Sequence, residues 1–166
     1  MANQIYSQLI SGLDAIGVQY YGADDYDSAE EAFSKAVSLL VDKPEYTIGE
    51  TYSVIVQAEC YQYLTLVSIN KGNAEQAGFY GKNAVTMAGQ AAEATNNPVT
   101  IGLAITSNAV MAEFYLNMRD KSSAKQCADT GLLYCERLRG MNPQAPQLEM
   151  EPSLQKLQRK AARKFF

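Results

Sequence analysis

An all-α fold follows from three features of this 166-residue sequence. Apolar residues recur at helical spacing along most of its length, strand-like alternation is missing, and one capping pattern returns three times. The pattern sets a polar capping residue, an alanine four positions on, and another small residue seven further: Asp25, Ala29, Ala36; Asn73, Ala77, Ala84; Asp120, Ala124, Gly131. The alanines stand 48 and 47 residues apart, and prolines follow the blocks at Pro44, Pro98 and Pro143. Three antiparallel helix pairs and a seventh, C-terminal helix are therefore expected.

The first pair is read over about 3–22 and 26–41. Ile5, Leu9, Leu13, Ile16 and Tyr20 supply the packing stripe of its first helix, and Asp25 opens the second. The second pair covers about 48–70, with Val54, Ala58, Tyr61, Leu64 and Val67 as its stripe, and 74–94 after Asn73. The third covers about 99–118, with Ile101, Ile105, Met111, Tyr115 and Met118, and 121–139 after Asp120. Asp or Asn at a helix start accepts hydrogen bonds from otherwise unpaired backbone N–H groups, worth about 1 kcal/mol each. Small residues one and three turns in share a face and let the pair pack closely. Proline beyond the last turn discourages continuation. The expected organisation is a helical repeat domain over 1–140, a linker over 141–151 and a basic helix over 152–166.

Composition narrows the function. Apolar residues make up 47% and charged residues 19%, which suits one folded domain. With no histidine in the chain, the commonest general base and metal ligand are gone. Neither GxxxxGK[ST] nor GxGxxG occurs, and "DDYD" lacks the glycine and further acid of an EF-hand, so it reads as helix capping. Cys60, Cys127 and Cys135 have no metal-site spacing and are expected as small buried apolar residues. No catalytic residue, metal site or cofactor is expected, and the chain is not expected to be an enzyme. The start "MANQIYSQLISG" lacks a signal-peptide pattern and no apolar run approaches a membrane span, so a cytoplasmic protein is expected. Most tyrosines, and Met87, Met111 and Met118, are expected inside.

These residues resemble the tetratricopeptide repeat, whose pattern is W-x2-L-G-x2-Y…A-x3-F…P. In the first copy Leu13 stands for the Trp and Ile16 for the Leu, while Gly17, Tyr20, Ala29, Phe33 and Ala36 fit. The second offers Tyr61, Leu64, Ala77 and Ala84, with Thr65, Ser68 and Gly81 departing. The third offers Met111, Ala112, Tyr115, Ala124 and Ala128, with Asn108 and Gly131 departing. The period exceeds the repeat's usual length of about 34 residues, so longer hairpins are implied. The resemblance implies a right-handed α-solenoid, closed here by the C-terminal helix, that acts as a protein-interaction module.

It also implies that first helices line a concave groove. The groove candidates are Asp14, Val18 and Tyr21, then Glu59, Gln62, Leu66, Ile69 and Asn70, then Ala109, Glu113, Leu116 and Asn117. Alternatively, the apolar members pack between helices. Segments 1–34, 44–70 and 98–118 contain no Lys or Arg, so such a groove would be apolar and mildly acidic. Nucleic acid, which needs cations against its phosphates, is not an expected partner. A protein or peptide segment of apolar and basic character is.

The tail breaks the pattern. Lys156, Arg159, Lys160, Arg163 and Lys164 face only Glu151 within 151–166, a net of +4, whereas the other 150 residues carry −8. Leu154, Leu157, Ala161 and Phe165 form a stripe beside that basic face, suited to capping the last pair. The basic face could otherwise meet acidic protein, a neighbouring copy or an anionic membrane, the one route to membrane contact. The leading expectation is a non-enzymatic module that binds a peptide or helical segment. A chaperone or adaptor of a secretion or assembly system, and a self-assembling scaffold using the tail, are the alternatives.

Overall fold

The computed structural model describes residues 2–42 and 50–163, which are helical with no strand among them. In order they form α1 (Ala2–Gly22), α2 (Tyr26–Asp42), α3 (Glu50–Asn70), α4 (Ala74–Thr95), α5 (Pro98–Asn117), α6 (Lys121–Met141), a 3₁₀ turn (Pro146–Met150) and α7 (Glu151–Ala162). The expected start of the third helix at 48, and Phe165 at the end of the tail stripe, lie outside the described residues.

One turn is built three times. Gly22 to Tyr26, Asn70 to Ala74 and Asn117 to Lys121 are each joined through three residues. The middle one has positive φ: Asp24 at 59°, Gly72 at 73° and Arg119 at 62°. That left-handed step lets the next amide reach back to close the preceding helix. The Asp25, Asn73 and Asp120 amides donate to the Tyr20, Ser68 and Tyr115 carbonyls at 3.0, 2.8 and 2.8 Å. The same three side chains then cap the following helix, accepting from the Ser28, Gln76 and Ser123 amides at 3.2, 3.1 and 3.0 Å. The small residues expected to permit close packing, Ala29, Ala36, Ala77, Ala84, Ala124 and Gly131, are buried.

The chain divides into two compact units, Met1–Gln90 and Ala91–Phe166. In the first, Ile10, Ala29, Phe33, Ala36, Leu40, Val56, Cys60, Leu64 and Val67 form the core. Phe33 is its keystone. Its ring stacks on Tyr63 with centroids 4.9 Å apart and planes 5° from parallel. On another side, a Cβ at Gly17 would lie 2.7 Å from the Phe33 ring, so α1 reaches α2 this closely only because position 17 has no side chain.

In the second unit α5 is the central helix, with Ile101, Ala104, Ile105, Asn108, Met111 and Ala112 all buried. It is also long and apolar enough to cross a membrane by length and composition, a property shared by core helices. Its first turn is capped by Asn97, whose side-chain oxygen accepts from the Val99 and Thr100 amides at 3.0 and 3.1 Å. Helix α7 packs on α5 and α6. Leu154 is fully buried, and its methyl carbons lie 2.9 and 3.0 Å from where a Cβ on Gly131 would stand. The Arg137 guanidinium fastens α6 to the end of α4, reaching Glu93 at 2.6 Å and Asn96 at 2.8 Å. Arg139 pairs with Glu151 at the start of α7.

Candidate functional site

Helix α1 faces the other way from its sequence expectation. The stripe read as packing is the exposed one: Ile5 is 61%, Leu9 48%, Ile16 46% and Tyr20 40% exposed, and only Leu13 leans on the core. The inward face is Ser7, Ile10, Asp14, Gly17 and Tyr21, at spacings of three and four. The close approach of Phe33 to Gly17 sets this rotation, because one ring fills the space that larger α1 side chains would need. Val18 and Tyr21, expected in a groove, therefore pack against the core, with Tyr21 edge-on to Tyr63 at 5.4 Å. Met118, expected inside, is exposed in the turn after α5.

Asp14 and Glu59 come together beside that aromatic cluster. The Cys60 thiol donates to Asp14 Oδ1 at 3.5 Å. Partial burial pushes the Asp14 carboxyl above the usual range, against a smaller opposing effect of the thiol. Burial also raises Glu59, and the Asp14 charge adds to it. Burial lifts the Cys60 thiol far above its ordinary value, and lifts Cys127 and Cys135 to about 11, so none is a ready thiolate at neutral pH. Of the other candidates on α3, Gln62 and Leu66 are half-buried, while Ile69 and Asn70 are exposed, with the Asn70 amide donating to the Leu66 carbonyl at 2.9 Å.

At the start of α1 a cavity of about 650 Å³ is lined by Gln4, Ser7, Gln8, Ser11 and Tyr52. The Ser11 and Tyr52 hydroxyls hydrogen-bond to each other. The Ser7 hydroxyl is buried and, among the described residues, finds no hydrogen-bond partner. Sequence reasoning passed over this cavity. Its signal was a run of uncharged amides and hydroxyls at positions 4, 7, 8 and 11 of one helix.

In the second unit the candidate groove residues at the end of α5 meet the basic tail. Glu113, Leu116 and Asn117 from the end of α5, Lys121 from α6, and Leu157, Lys160 and Arg163 from the tail line a cavity of about 470 Å³. Lys121 also donates to the Arg163 carbonyl at 2.5 Å. Ala109 is buried in the unit's core and does not reach this cavity. Lys156 and Arg159 are exposed, and the Arg159 Nε–H donates to the Gln155 carbonyl of its own helix at 3.3 Å. Lys164 lies outside the described residues.

Among the described residues no group of three or more His, Cys, Asp or Glu is placed to hold a metal ion. No protein-family model matches this chain, and no curated protein or solved structure is significantly similar to it.

Proposed function

We propose that the protein is a non-enzymatic interaction module whose first unit binds a peptide or helical segment of another protein. The single observation that carries this reading is the exposed stripe of Ile5, Leu9, Ile16 and Tyr20, on a helix with no Lys or Arg. Each of these four side chains keeps roughly half of its surface in water, so covering the stripe would gain about 1 kcal/mol per side chain. A partner helix with apolar residues at the same spacing recovers it. Near the stripe, the exposed Gln4 and Gln8 amides offer hydrogen bonds to a partner backbone. The first unit carries eleven acidic and four basic side chains, a net of −7, which favours a partner with basic flanks. Three unpaired cysteines suit a reducing, cytoplasmic setting.

The test compares wild type with an Ile5→Ser, Leu9→Ser, Ile16→Ser variant, shown by circular dichroism to remain folded. Both are immobilised and exposed to lysate of the native host. A protein held by the wild type and lost by the variant, and cross-linked to α1, supports the reading. Equal retention by both sinks it.

A further inference from the structure

The cavity between α5, α6 and α7 is not used by the reading above, and its chemistry differs from that of α1. Two leucines, Leu116 and Leu157, supply an apolar lining; Lys121, Lys160 and Arg163 supply three cations; Glu113 and Asn117 complete it. Lys160 and Arg163 are exposed and enter no ion pair among the described residues. An occupant must be anionic, with some apolar surface, and must be convex enough to enter.

The chain itself carries such a surface. The turn between α1 and α2 is exposed: Asp24 and Asp25 lie in it, Asp27 follows in the first turn of α2, and the exposed Tyr20 precedes it at the end of α1. Asp24 accepts from the Tyr26 hydroxyl at 2.8 Å and Asp25 caps α2, so both carboxylates are held in place. Lys71 reaches Asp27 and Glu30 at 2.6 Å, offsetting only part of the local negative charge. The bias extends to the whole units. The first carries −7, while the second has ten basic and seven acidic side chains, a net of +3.

We infer that the cavity of the second unit receives the α1–α2 turn of another copy of this chain, joining copies head to tail. Lys160 and Arg163 of one copy face Asp24 and Asp27 of the next, and Tyr20 meets Leu116 and Leu157. The two surfaces are different, so the contact is heterologous: each copy keeps one free donor and one free acceptor, and assembly continues into rings or filaments. The contact is also screened by salt, since its charges lie at the surface.

The experiment mixes two purified full-length variants, each crippled on one side. Lys160→Glu with Arg163→Glu removes the cationic side, and Asp24→Asn with Asp27→Asn removes the anionic side. Lys160→Gln with Arg163→Gln is the milder second version of the first. Mass is read by light scattering and sedimentation over a wide concentration range at low and high salt. Wild type is expected to grow with concentration at low salt and to fall back at high salt. Each variant alone is expected to associate at least about tenfold more weakly. An equimolar mixture of the two is expected to form a dimer and nothing larger, because only one intact pair of surfaces remains. Wild type that stays monomeric at every concentration overturns the inference. So do variants that assemble like wild type, or a mixture no larger than its separate components.

Discussion

The two units share a turn but are held together by different means. In the first, α1, α2 and α3 meet through rings: Phe33 stacked on Tyr63, Tyr21 edge-on to Tyr63, and a glycine where α1 touches Phe33. No arginine occurs in that unit. In the second, α5 is sheathed by α6 and α7 through small residues, and two arginines, Arg137 and Arg139, tie the ends of helices to one another. A rigid ring cannot yield to a neighbour, whereas a leucine end or a charged side chain at the surface can. The first unit should therefore respond sharply to small changes of shape, and the second should absorb them.

The largest expected effect is that of Phe33→Ala, which removes the keystone and should cost about 3–5 kcal/mol, read from urea unfolding by circular dichroism. A loss below about 1 kcal/mol would show that the stack is not what holds the unit. Next come paired glycine substitutions. Gly17→Ala drives a methyl into the Phe33 ring and should destabilise by about 1–3 kcal/mol. Gly131→Ala crowds the flexible methyl ends of Leu154 and meets the Asn108 Cβ at 3.4 Å, an ordinary contact distance, while the helix gains about 1 kcal/mol in propensity, so little net change is expected. Equal costs at both positions would break the contrast.

A smaller difference concerns pH. The folded-state pKa values of Asp14 and Glu59 are raised, so the folded protein holds protons that the unfolded chain releases. Their contribution is therefore most favourable below the ordinary carboxylate range and is lost as pH rises through the raised values. Glu59→Gln should flatten that loss and raise stability at neutral pH; an unchanged stability profile between mildly acidic and neutral pH would refute the account. The smallest expected effect is that of Arg119→Gly. Relief of the left-handed strain is partly offset by the greater freedom of the unfolded chain, leaving a gain of about 0.5 kcal/mol in thermal unfolding. A loss of stability would mean that the Arg119 side chain supports the turn.

What was legible in the sequence was what is decided locally. Asp25, Asn73 and Asp120 each act within three residues of themselves, so their capping roles and the helix starts could be read directly. The buried alanines followed, because the cap sets the phase of the helix that carries them. The rotation of α1 could not be read in this way. Ile5, Leu9, Ile16 and Tyr20 recur at helical spacing, but so do Ser7, Ile10, Asp14, Gly17 and Tyr21, and the choice is made by a ring on another helix. The same limit applied to the second-unit cavity. Glu113, Leu116 and Asn117 belong to the groove pattern and Lys160 and Arg163 to the basic tail, and the return of the chain through Pro146–Met150 and the seating of Leu154 over Gly131 bring them together.

The three-residue turns also bear on how fast the protein folds. Each joins a helix of about twenty residues to its immediate successor, so a hairpin closes without a long loop to order first. Chains dominated by such local contacts fold in microseconds to milliseconds, whereas those built on distant pairings take up to seconds. Among the described residues α7 docks mainly on α5 and α6, its near neighbours in sequence, which adds little to that delay. A newly made copy should thus hide its Phe33 and Ile105 cores quickly, and spend little time with them open to aggregation.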